Sequence, residues 1–224
     1  MKMRSLGIAL TIQSLSIAGV MLMTASPGLT ATVWQGLWER IIRSTGQDKP
    51  RSVRGGNCLV GPSNVIWSDR PRLAWDNGLS PVKIVKITKS SEGSTHLVWS
   101  QEIDSQQTSV QYSDKPLPPG VYQWSTIDSF GRSEIRIFEV MEPLERKKIE
   151  DARLILEQEI KGQELTENDR SLKRIDFWLD TERDLPWDAI SETYSAEGRS
   201  PEADKLRQDF VNRVCRLKPL PTQK

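Results

Sequence analysis

A chain of 224 residues has room for one large domain or two small ones. Hydrophobic residues make up 37% of it and charged residues 27%, a globular composition that excludes wholesale disorder. The formal net charge is only +1, so the chain lacks the overall basic field of a nucleic-acid binder, and no nucleic-acid partner is expected.

The N-terminus has the order of a secretory signal peptide. Lys2 and Arg4 precede an apolar run from Leu6 to Ala25, broken by Gln13, Ser14 and Ser16. Ser26-Pro27-Gly28-Leu29-Thr30-Ala31 then supplies helix breakers and small residues. Residues 1–31 are therefore expected to direct export to the periplasm or the exterior, with cleavage after Ala31 or Ala25. The rival reading is an uncleaved membrane anchor. No cysteine follows the apolar run, so lipid anchoring is not indicated. Removal of residues 1–31 takes away two basic residues and no acid, and the remaining 29 basic and 30 acidic residues give a net charge of −1.

Residues 32–56 form the next unit, a short amphipathic helix and a basic linker. Trp34, Leu37, Trp38, Ile41 and Ile42 recur at i, i+3, i+4, i+7 and i+8, one face of a helix. Two tryptophans beside Arg40 and Arg43 suit a membrane interface or a partner, while a stripe of this kind also serves as packing against the chain's own body. Gly46, Pro50, Gly55 and Gly56 break the segment that follows. The unit holds five basic and two acidic residues, which fits an anionic surface or an acidic partner as well as a solvated linker.

From residue 57 to residue 141 the pattern is one of short strands. Runs at Arg72–Trp75, Val82–Thr88, Thr95–Ile103, Thr108–Tyr112, Val121–Ile127 and Glu134–Val140 are separated by turn chemistry such as Asp76-Asn77-Gly78 and Pro116 to Gly120. Spacing of about ten residues with no helical pattern between runs points to an antiparallel sandwich or barrel. Alternation puts Trp75 with Leu73, Trp99 with Leu97 and Trp124 with Tyr122, in each case as core. Val82 and Val85 fall on opposite faces of their strand. Trp67 lies beside Ser68-Asp69-Arg70 with no clear face and is the expected exposed tryptophan, a candidate for stacking on a sugar ring.

Leu117-Pro118-Pro119-Gly120-Val121-Tyr122-Gln123-Trp124 resembles the turn and following strand of fibronectin type III-like domains, and Phe138-Glu139-Val140 resembles their last strand. The resemblance implies a sandwich with Tyr122 as the residue of a tyrosine corner, and it implies no activity. Arg54-Gly55-Gly56-Asn57-Cys58, taken with the signal peptide and the strands, resembles a group of exported cyanobacterial proteins of unknown function. That resemblance implies an envelope location.

Residues 142–218 read as about four helices. The first spans Pro143–Lys161 with Leu144, Ile149, Ala152, Leu156 and Ile160 as its inner stripe and Gly162 as its stop. Thr166-Glu167-Asn168-Asp169 has the form of a capping box and opens a helix burying Leu172, Ile175, Trp178 and Leu179. Pro186 starts a third with Trp187, Ile190 and Tyr194 inward. Ser200-Pro201-Glu202 caps a fourth, which carries Leu206, Phe210 and Val214 and ends near Arg216. Trp187-Asp188-Ala189-Ile190 resembles part of a tetratricopeptide-type helix pair, but its period is not repeated, and a plain helical bundle on the sandwich is the simpler reading. Pro219 and Pro221 end order, and residues 219–224 are expected to be a disordered tail. The expected class is thus segregated α+β: a fibronectin III/Ig-like antiparallel sandwich followed by a helical bundle.

The two cysteines, Cys58 and Cys215, would tie the last helix to the first strand if bridged. Two independent thiols, or a bridge between chains, are the alternatives. Catalytic chemistry has little to stand on. His96 is the sole histidine, which leaves no zinc set, and neither a nucleophile elbow, a CxxC nor a nucleotide-binding loop occurs. No cofactor or metal is expected. The functional expectation is a non-catalytic interaction module of the cell envelope with an envelope protein as partner. The alternatives are a carbohydrate-binding module using Trp67 on a glycan and a hydrolase built on paired carboxylates.

Overall fold

The computed structural model describes residues 57–194 other than 79, 92, 93 and 183, together with the helix of residues 201–215 and with Gly36, Glu39 and Arg40. Residues 1–31, 219–224 and the side chains of Trp34, Leu37, Trp38, Ile41 and Ile42 lie outside the described residues.

Eight strands come first: β1 (Cys58–Leu59), β2 (Asn64–Ile66), β3 (Arg72–Asp76), β4 (Val82–Ser91), β5 (Ser94–Glu102), β6 (Ser109–Gln111), β7 (Gly120–Asp128) and β8 (Ser133–Val140). Four helices follow among the described residues: α1 (Pro143–Lys161), α2 (Glu167–Asp180), α3 (Pro186–Glu192) and α4 (Pro201–Cys215). The strands make a three-stranded sheet, β1-β3-β6, and a five-stranded sheet, β2-β8-β7-β4-β5. The class is α+β with strands before helices.

The chain changes sheets between β1 and β2, and that crossing sets the topology. Val60 and Gly61 both donate backbone N–H bonds to the carbonyl of Ala74, at 2.8 Å each. A Cβ on Gly61 would stand 2.5 Å from the backbone nitrogen of Ala74, so only glycine lets the two strands approach so closely. After the crossing, β2 runs parallel to β8, pairing Asn64 with Phe138 and Ile66 with Val140. This corrects the expectation of purely antiparallel pairing. The two strands lie at opposite ends of the strand region, so no tight hairpin constrains their direction.

β7 shows the pattern that builds the core. Tyr122, Trp124, Thr126 and Asp128 are buried, and the residues between them are more exposed. Trp75 and Trp124 are fully buried, and Trp124 Nε1 donates to the Pro62 carbonyl at 2.9 Å, so its polar edge is satisfied. Two irregularities in β4 overturn the simple alternation. A shift between Val82 and Ile84 puts Val82 on the buried side together with Val85. A second shift opposes Ile87 to Trp99 but Thr88 to Leu97, skipping Val98. Trp99 therefore packs inward, edge-on to Tyr112 at 5.6 Å, while Leu97 is 62% exposed. One extra residue reverses which face a side chain takes.

The helices share the sheets' core. Ile175, Trp178, Leu179, Trp187, Ala189, Ile190, Phe210 and Val214 are buried in one cluster with Leu59, Trp75 and Val140. α2 begins as its capping sequence implies, with Thr166 Oγ1 accepting from the Asp169 N–H at 3.2 Å. α1 is the least covered helix: among its residues only Ile160 is fully buried. Leu144, expected in its inner stripe, is 73% exposed. It lies five residues before Ile149, which places it roughly 140° around the helix from that residue.

Candidate functional site

The most concentrated polar chemistry in the described residues lies where the helices meet the end of β2. α3 brings Asp188 there. Its residues Pro186 to Ile190 are all buried, and Asp188 is only 5% exposed. Its two carboxylate oxygens accept from the backbone N–H groups of Trp67, at 2.9 Å, and Ser68, at 3.0 Å. A side chain from the helices thus completes the backbone hydrogen bonding of the strand end. Burial pushes the Asp188 carboxyl up to about 6; the two N–H bonds work against that rise, the nearby Glu192 adds to it, and Arg153 opposes it.

Around this contact the aromatic and charged groups interlock. The Trp67 and Trp178 rings stand 5.1 Å apart, and the Arg146 and Arg153 guanidinium groups lie over the Trp67 ring at 5.3 and 5.2 Å. Trp67 Nε1 donates to the Arg146 carbonyl at 3.2 Å, and Arg146 pairs with Asp69 at 2.7 Å. Trp178 Nε1 donates to Glu192 at 3.1 Å, and Trp187 Nε1 donates to Ser63 Oγ at 2.8 Å. Each indole in this junction has both a packed face and a satisfied N–H.

Cys58 and Cys215 are bonded to each other, with Cα atoms 5.6 Å apart and a separation of 157 positions in sequence. α4 lies against β1 and β3, which carries Cys215 to the start of the first strand. Trp67 does not take the place expected of it. It is half-buried between Trp178 and two arginines, because Ser68 and Asp69 beside it meet Asp188 of α3 and Arg146 of α1. Its ring contacts are with Trp178, Arg146 and Arg153, so it is not the exposed tryptophan expected from the sequence. Asp188 borders a cavity of about 10 Å³, room for a water molecule and not for a substrate. Among the described residues, no group of three or more His, Cys, Asp or Glu side chains is placed to hold a metal ion. Sequence reasoning missed Asp188 as a key residue. The one available signal was an acid between Trp187 and Ala189 on a strongly apolar helix turn.

A second feature lies between α1 and α2. Glu157 of α1 takes a bidentate pair from Arg174 of α2, at 2.9 and 3.0 Å, and the hydrogen bonds from Arg174 hold the Glu157 carboxyl below its ordinary range. Toward the C-terminal end of α2 a groove of about 410 Å³ opens, with Ile149, Ala152, Phe177 and Asp180 among its walls. Arg40 reaches this end of α2, pairing with Asp176 at 2.8 Å and with Asp180.

No family model matches the sequence, and no curated protein matches it. Among solved structures, a variant of the superoxide reductase (neelaredoxin) from Ignicoccus hospitalis is similar over 38% of this chain and 79% of its own, at 11% identity and a TM-score of 0.28. A second variant of the same protein is similar over 41% of this chain and 84% of its own, at 10% identity and a TM-score of 0.29. These neighbours are described as an enzyme, and the expected non-catalytic interaction module is not carried forward. A likeness this slight assigns no chemistry to the present chain.

Proposed function

We propose that this chain is an exported structural unit, a covalently closed body that works in an oxidising compartment. The observation that carries the reading is the Cys58–Cys215 bond, which joins the first strand to the last helix. Bonds of this kind persist outside the cytoplasm and are rare within it. The signal-peptide order of residues 1–31 supports the same location. In this reading the junction around Asp188 fixes the helices on the sheets, and the bond closes the arrangement at the other end of the chain. The test is expression of the full chain in a bacterium with a periplasm, followed by fractionation and alkylation with a heavy maleimide. The expected result is protein in the exported fraction that takes up no reagent until reduced and two equivalents afterwards. Protein retained in the cytoplasm, or free thiols in the exported form, would overturn the reading.

We further propose that the two sheets are a sandwich of fibronectin type III kind. The strand orders β1-β3-β6 and β2-β8-β7-β4-β5 support it, as does the Tyr122 hydroxyl, which donates to the Pro118 carbonyl at 2.7 Å. Tyr122→Phe keeps the ring and removes that bond. It is expected to cost about 1 kcal/mol in equilibrium unfolding, and no change would count against the corner.

A further inference from the structure

α1 is a helix of 19 residues with little of its surface covered. Only Ile160 is fully buried, although a helix in a folded protein draws most of its stability from packing one face. On a helical wheel, Leu144, Lys148, Ala152, Ile155 and Glu159 fall within an arc of about 80°. All five are exposed, Leu144 by 73% and Ile155 by 59%. From Lys148 to Glu159 the steps alternate between four and three residues, the spacing of a helix-pairing seam. The next seam position is Gly162, which follows the end of the helix. Lys148 and Glu159 make no ion pair among the described residues. Along the helix the seam runs large apolar, basic, small, large apolar, acidic, glycine. Turned end for end, each position meets its complement: Leu144 meets Gly162, Lys148 meets Glu159 and Ala152 meets Ile155. A parallel pairing would instead oppose lysine to lysine and glutamate to glutamate.

We propose that α1 is the docking surface for a second copy of this chain, the two α1 helices lying antiparallel about a two-fold axis midway between Ala152 and Ile155. The contact is isologous, so every layer is made twice: two Lys148–Glu159 pairs flank two Ala152–Ile155 contacts. The occupant follows from that self-complementarity, because the same six residues in reverse order are the surface that fits them. Ala152 is also a wall of the groove between α1 and α2, where Ile149 and Phe177 lie, so Ile155 of the second copy has further apolar surface beside it. A helix of 19 residues is about 28 Å long and about 10 Å wide, a smaller strip than the roughly 800 Å² per partner of a standard interface. The pairing is therefore reversible, with a dissociation constant on the order of 10–100 μM. The inference stands whether or not the chain is exported.

Sedimentation equilibrium of the full chain, from about 1 to about 500 μM, tests the proposal. The expected result is a mass that doubles across this range. Lys148→Glu and Glu159→Lys should each raise the dissociation constant at least about tenfold, because either change puts like charges in both charged layers. An equimolar mixture of the two variants should pair as tightly as the natural chain, since each then carries the charge the other lacks. A single mass at every concentration would overturn the proposal. So would pairing that both reversals leave intact, which would place the contact elsewhere. Weakened pairing in each variant with no recovery in the mixture would overturn the antiparallel arrangement. A monomer that binds anionic lipid vesicles through Leu144 and Ile155 without doubling its mass would make a membrane the occupant and would overturn it equally.

Discussion

Asp188 is the residue on which the helix–sheet junction turns. Its carboxylate satisfies two backbone N–H groups that lie about 120 positions away in sequence. Truncation in Asp188→Ala leaves both donors buried without partners, with an expected cost of about 3 kcal/mol, measurable by denaturant unfolding. The pH dependence has a definite sign. Its folded-state value of about 6 lies above the ordinary aspartate value, so the folded state holds the proton more tightly. The stabilisation from this group is therefore complete below about pH 4 and is lost as the pH rises through about 6. The groups facing it include Glu192 on its own helix, Arg153 on α1 and the strand end at Trp67 and Ser68. Relative to Asp188→Asn, the natural chain should lose stability between about pH 4 and pH 6, and parallel curves would contradict this assignment. Asp128 behaves oppositely. Burial alone would raise its carboxyl, but hydrogen bonds from the Arg132 backbone and side chain and from the Phe130 N–H hold it below the ordinary range. Its contribution is present above the ordinary aspartate value and is lost as acid protonates it.

Among the elements, local chemistry made the helix limits legible, and register decided what was not. Pro143, with its fixed φ, opens α1 and Gly162 follows its end, while Thr166 caps α2 through its side-chain oxygen. Leu97 was not legible. Its strand alternates as a buried strand would, and only the skipped residue opposite β4 turns it to solvent. Leu144 was misplaced for a simpler reason, since five residues is the wrong spacing for one helix face. Asp188 was hidden because its partners are backbone atoms of a distant strand end, and a backbone donor leaves no mark on the sequence pattern. Gly61 shows the same limitation. Nothing local marks it as special, yet a Cβ there would meet Ala74 backbone at 2.5 Å. Gly61→Ala should force β1 and β3 apart and lower stability by roughly 2 kcal/mol in thermal or denaturant unfolding, within the range of overpacking costs. A neutral result would show that the crossing can relax.

On the scale of the whole molecule, strands, helices and the Cys58–Cys215 bond enclose one core. The sequence held only two cysteines, so an intramolecular bond could take one form, while their approach to 5.6 Å depended on α4 lying against β1 and β3. Such a bond restrains nearly the whole folded chain, and the chain-entropy model gives it about 5 kcal/mol for a loop this long. The most direct test of the closed-body account is equilibrium unfolding of the full chain with and without reductant, followed by far-ultraviolet dichroism and by tryptophan fluorescence. The account predicts a single transition reported alike by both probes, and a fall in unfolding free energy of about 5 kcal/mol on reduction. An unchanged midpoint after complete reduction would contradict it, as would helices that melt separately from the sheets while the bond is intact.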